Sequence, residues 1–122
     1  MDSRTIVIEA QRTAERARKA RPPAYSCPAT KAAALQDLTR RLPSVSTGVQ
    51  MRRIVEALSL FPEGVSAIDM ALHLDLPHPP SRIRSLRKDG AQISSNWVRQ
   101  HSLAGVEHRT VLYVQEAADD AA

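Results

Sequence analysis

The sequence predicts a mainly α-helical chain closed by a small β-hairpin, an α+β fold with a basic arm at its N-terminal end. Three observations predict it. Apolar residues recur at helical spacing between Val49 and Leu86. After Gly90 the period changes: "AQISSNWVRQHS" and "RTVLYVQ" are rich in β-formers and flank the glycine-bearing "LAGVEH". Charge is uneven, with nine Lys/Arg against four Asp/Glu in residues 1–47 and eight against nine in residues 48–122. The 122 residues suffice for one small domain with an appendage.

The first element expected is a helix from Thr5 to Ala20, rich in helix formers and stopped by Pro22-Pro23. Ile6, Ile8, Ala10, Ala14 and Ala17 form no strong apolar stripe, so this helix is marginal by itself. Arg12, Arg16, Arg18 and Lys19 make its far half basic. "RPPAYSCPAT" (21–30) has three prolines and no periodicity, and reads as a linker. Ala33, Leu35, Leu38 and Leu42 then suggest a short helix ended by Pro43. "SVSTG" marks a boundary. The expected division is an arm over residues 1–47, a compact domain over 48–116 and an acidic, disordered tail over 117–122.

Within the compact domain, Val49 or Met51, Ile54, Val55 and Leu58 share a helical face. A turn at "PEG" leads to Ser66 and Asp69, which have capping-box spacing, although Asp is shorter than the usual Glu. Ile68, Ala71 and Leu72 supply the next apolar face, and Leu76 is a buried anchor. "HPPSRIRSLRKDG" (78–90) follows. Pro79 or Pro80 suits a first helical turn, and Gly90 suits a C-terminal stop. The final element is a two-stranded hairpin with its loop around 102–108. Ile93, Ser95 and Trp97 share one face of it, which points Trp97 to the core or to a cover over the first domain helix.

Composition narrows the function classes. No apolar run approaches the ~20 residues of a membrane span. "MDSRTIVIEAQR" lacks the pattern of a secretory signal. The single cysteine, Cys27, excludes an internal disulfide and suits a reducing, cytoplasmic setting. Arginine supplies fourteen of the seventeen cations. Its planar fork donates two hydrogen bonds at once to phosphate, so nucleic acid is a natural partner. There is no Gly-rich phosphate loop and no HExxH motif. His73 and His78 straddle a turn, and Cys27 has no partner cysteine. The expectation is no enzyme, no cofactor and no metal site.

Helix, turn, helix, short turn, basic helix, hairpin is the order of a winged helix-turn-helix domain, whose third helix can enter the ~12 Å major groove. The chain also resembles the small winged helix-turn-helix proteins common in bacteriophages and prophages. "SRIRSLRKDGAQI" (81–93) carries the likeness. Arg82-Ile83, Leu86-Arg87, Gly90 and Ile93 stand at that group's offsets, and Tyr113 matches its late strand aromatic. The likeness spans about residues 49–115. Ser85 departs from it, standing where the group has an acidic residue, and leaves this helix more basic.

With Ile83 and Leu86 inward, Ser81, Ser85 and Lys88 point outward and Arg84 lies on the flank. Arg84 is the candidate for bidentate contact with guanine, and Ser81, Ser85 and Lys88 suit phosphate. Arg82 lies between the inward and outward sets. Arg87 is expected to pack its stem and pair its head with a carboxylate. Arg99, Arg109, His101 and His108 belong to the hairpin and could meet the DNA backbone. Arg52 and Arg53 could meet phosphate beside the groove, or pair with Glu56. The partner expected is double-stranded DNA, with a homodimer as the candidate assembly and the role of a phage-type regulator or accessory factor. The near-neutral domain and acidic tail favour the rival reading, a module or inhibitor that binds a host or phage protein.

Overall fold

The computed structural model describes residues 3–19 and 21–116, and the side chains of 13–19 are outside that description. The expected acidic tail and the cations Arg16, Arg18 and Lys19 therefore lie outside the described residues and side chains. The chain runs α1 (Ser3–Lys19), α2 (Ala29–Arg41), α3 (Thr47–Leu60), β1 (Val65–Ser66), α4 (Ala67–His73), α5 (Pro79–Lys88), β2 (Ile93–His101) and β3 (Glu107–Gln115). This is an α+β winged helix-turn-helix arrangement, with a three-stranded antiparallel sheet in the order β1-β3-β2. The added strand is β1, whose Val65 pairs with Tyr113.

One core joins these elements. It takes Leu35 and Leu38 from α2, Ile54, Ala57 and Leu58 from α3, Met70 and Leu74 from α4 and its end, and Ile83 and Leu86 from α5. Val65, Leu76, Ile93 and Tyr113 complete it. α2, which the sequence places in the arm, thus contributes two leucines with no exposed surface. A fully buried leucine contributes roughly 1.5–3 kcal/mol of transfer free energy. Lys31 fastens the same helix to the turn after α3. Its buried ammonium lies 3.1 Å from Glu63 Oε1, donates to the Gly64 carbonyl, and sits 5.0 Å from the centre of the Phe61 ring.

The local signals are realised unevenly. Ser46 Oγ caps α3 by accepting from the Val49 N–H at 3.3 Å. Ser66 Oγ caps α4 by accepting from the Asp69 N–H at 3.0 Å. The Asp69 carboxylate does not complete the capping box. It accepts instead from Tyr25 Oη at 2.8 Å and from Gln100 Nε2 at 2.7 Å. The inward face of α4 is also turned from the expected one: Asp69 and Met70 are buried, whereas Ala71 and Leu72 are exposed. Likewise, Ile54 and Ala57 lead the buried face of α3, and Val55 is 38% exposed.

The proline-rich segment is ordered against the sheet. Arg99 N–H donates to the Pro23 carbonyl at 2.9 Å, and Tyr25 N–H donates to the Arg99 carbonyl at 2.8 Å. A proline cannot donate, but this contact asks Pro23 only to accept, which is how proline survives at a sheet edge. The segment covers β2, which would otherwise present unpaired backbone groups.

β2 and β3 pair without a break from Ile93↔Gln115 to His101↔Glu107. Ile93 and Trp97 therefore share a face, as the alternation predicts, yet Ile93 is 8% exposed and Trp97 is 59% exposed. Two-stranded ribbons twist strongly. Near Ile93 that face lies on the core, and by Trp97 it has turned to solvent. Beyond Trp97 the opposite face is the covered one, through Val98, Gln100 and Thr110. The core assignment of Trp97 is thereby corrected.

Gly64 permits the β1–β3 contact. Its φ is +108°, and a Cβ there would lie 2.7 Å from the Tyr113 carbonyl oxygen. Both strain and overlap oppose a side chain. Gly64→Ala is expected to destabilise the fold by about 1–3 kcal/mol, seen as a lower denaturant midpoint with an unchanged slope.

Candidate nucleic-acid interface

The α5 helix is positioned by its two ends and its inner face. Pro79 occupies the first turn and is buried, with Ile83 and Leu86 behind it. The Asp89 N–H closes the last turn, and Gly90 leaves it at φ +103°. Arg87 locks the helix to the hairpin. Its Nε and Nη2 donate to the Ile93 carbonyl at 3.0 and 2.7 Å, and Nη2 also reaches Ser95 Oγ at 2.7 Å. Its head is held as a structural group, but by a carbonyl and a hydroxyl rather than a carboxylate.

At about 100° per residue, the direction opposite Pro79, Ile83 and Leu86 passes through Lys88, with Ser81 and Arg84 on either side. Ser81, Arg84 and Lys88 are exposed, and Arg82 and Ser85 are half-buried. Ser85 Oγ donates back to the Ser81 carbonyl at 3.1 Å. Among the described residues no carboxylate lies within ion-pair distance of Arg82, Arg84 or Lys88. The α5 surface thus combines exposure, helical order and cations that form no ion pair with the described carboxylates.

The other expected contacts divide. Arg109 is exposed and stacks over the exposed Trp97 ring, its Cζ 5.7 Å from the ring centre. Trp97, Arg109, Ser95 and the head of Arg87 form a path from α5 onto one face of the wing. Sequence alternation places Trp97 on that face but cannot show where the twist exposes it. His101 and His108 are exposed near the wing tip.

Arg99 faces a different task. Its side chain is 19% exposed, donates to the Pro22 carbonyl at 2.7 Å and pairs with Glu107 at 3.2 Å. It holds the N-terminal segment against the wing.

Arg52 is exposed and paired with Glu56 at 3.1 Å, the alternative the spacing allows. Arg53 is 1% exposed. It donates to the carbonyls of Leu42 (2.8 Å), Ser44 (2.9 Å) and Leu74 (3.0 Å), so it has no reach to phosphate. The adjacent cations fall on different sides of α3, and only packing reveals which one is inside. Arg53→Ala is expected to lower stability by about 3 kcal/mol or more, because three carbonyls lose their donor. Equilibrium denaturation would measure it.

Cys27 is half-buried and apart from the α5 surface. Burial, and then the Asp69 carboxylate, push its thiol up to about 11, so near neutral pH it stays protonated. No described helix is long and apolar enough to cross a membrane. Residues 49–115 match a family model described as a winged helix-turn-helix domain. No curated protein and no solved structure gives a match.

Proposed function

The chain belongs to the winged helix-turn-helix domain family, and from that premise we propose that it binds double-stranded DNA through α5 and the adjoining wing. The observation that carries this reading is the outward row Ser81, Arg84 and Lys88, exposed and, among the described residues, with no carboxylate at ion-pair distance. Arg84 has the fork that guanine O6 and N7 accept, and Lys88 and Ser81 suit phosphate. Arg82 and Ser85 border this contact. Arg109, backed by Trp97, follows the DNA backbone from the wing. Arg52 is at most a peripheral contact, and Arg53 and Arg99 serve the fold.

The biological role we assign is that of a small regulator or accessory DNA-binding factor of the phage and prophage type. This rests on the likeness of "SRIRSLRKDGAQI" to that group. One module reads few base pairs, so a homodimer on paired half-sites is the assembly that would give useful specificity.

Fluorescence anisotropy with a random duplex across a salt series tests the reading. Binding should weaken steeply with salt, as counterion release requires. Absence of binding at low salt would overturn it. A specific observation favours the rival reading: Leu103 is 86% exposed and Val106 is 55% exposed at the wing tip, an apolar end suited to a protein. Capture of a defined protein partner that is abolished by Leu103→Ser/Val106→Ser, with no DNA binding, would select it.

A further inference from the structure

Where α4 meets the proline-rich segment, three metal-ligating groups converge. Cys27 Sγ, an Asp69 carboxylate oxygen and a His73 ring nitrogen all lie within 4.8 Å of one another. Asp69 and His73 stand four residues apart on α4, so they share its face. Cys27 arrives from the proline-rich segment, which the Arg99 and Tyr25 backbone contacts hold in place. All three line a cavity of about 230 Å³, together with Tyr25, Gln100 and Ser102.

The Asp69 carboxylate supplies a second, independent reason. It is 1% exposed. The hydrogen bonds it accepts come from the Tyr25 hydroxyl and the Gln100 amide, both neutral, with the Cys27 thiol beside it. No cation lies within ion-pair distance of it among the described residues, and the neighbouring Lys31 pairs with Glu63. A buried carboxylate without a cation is costly. A divalent ion held by one thiolate, one carboxylate and one neutral imidazole would make the group neutral overall.

We propose that Cys27, Asp69 and His73 bind a zinc ion, with water from the cavity as fourth ligand. Mixed sulfur, nitrogen and oxygen donors suit zinc, and its ligand bonds of about 2.0–2.3 Å put donor atoms roughly 3.5 Å apart in a tetrahedron. Side-chain rotation closes the remaining gap. Tyr25 and Gln100 already orient the carboxylate. Gln36 Nε2 lies 2.9 Å from His73 Nδ1; with that amide flipped, its oxygen accepts from an Nδ1–H and leaves the ring Nε2 for the metal. Binding displaces the thiol proton to solvent and involves no redox change. The ion would pin the N-terminal segment to α4, independently of how α5 is used.

The test uses the full chain after chelator treatment. One equivalent of cobalt(II) should give the absorption of a tetrahedral site with a thiolate charge-transfer band, and zinc should displace it. Zinc should raise the thermal unfolding midpoint and slow alkylation of Cys27, the single thiol in the chain. Cys27→Ser should abolish the charge-transfer band. Gln36→Ala should weaken zinc by about 10–100-fold while keeping it. A wild-type spectrum without thiolate absorption would overturn the proposal. So would alkylation of Cys27 at an unchanged rate in zinc, a measurement that needs no variant to fold.

Discussion

Arg84→Ala/Lys88→Ala is expected to bind a random duplex at least tenfold more weakly than the unaltered chain at moderate salt. Removing the Lys88 contact should flatten the slope of log affinity against log salt by about 0.9, the share of one phosphate. Removing Arg84 should cost about 1–3 kcal/mol on a preferred sequence, if one is selected, and relax the preference at one base position. Both side chains are exposed, and exposed substitutions away from caps and networks usually shift stability by less than about 0.5 kcal/mol. An unchanged melting midpoint would therefore separate lost contact from lost fold.

The necessary control is Arg40→Ala/Arg41→Ala, which removes the same two charges from the end of α2. Those arginines pair with Asp37 at 3.7 and 3.0 Å. Should both double variants weaken binding equally, net charge alone would explain the affinity and α5 would lose its role. A selective loss at α5 would also argue against a protein-only function for the winged unit.

The α5 surface is legible in the sequence because its signals are local. Pro79 and Gly90 mark the helix ends, Ile83 and Leu86 fix the phase, and the cations then follow by rotation. What the sequence hides depends on contacts between distant segments. Arg52 and Arg53 are neighbours of identical chemistry, but one meets Glu56 in solvent and the other meets three buried carbonyls. Trp97 alternates correctly with Ile93, while its exposure follows from ribbon twist accumulated along the hairpin. Asp69 has the spacing of half a capping box and is instead the centre of a buried network reaching Tyr25 and Gln100. The proline-rich stretch has no periodicity because its order comes from Arg99, far along the chain.

The same distinction decides how much of the N-terminal region the winged unit needs. Deleting residues 1–20 is expected to leave a cooperative unfolding transition, because among the described residues the core cluster draws nothing from α1, whose Ile6, Val7 and Ile8 are each about half exposed. Deleting residues 1–47 is expected to abolish that transition. It removes Leu35 and Leu38, both with no exposed surface, and uncovers the side chains packed on them. Truncating one such leucine to alanine typically costs about 2–5 kcal/mol, and small domains hold only about 5–15 kcal/mol in total. The longer deletion also strips Tyr25 from Asp69 and Pro22–Tyr25 from the β2 edge, and removes Lys31 from Glu63. Urea titration followed by circular dichroism measures both forms. A folded, cooperative 48–122 fragment would support the boundary at residue 47 and make α2 a dispensable cover. Loss of folding would mean that DNA affinity lost on that deletion says nothing about a basic arm, and that the 1–20 deletion alone can report its contribution.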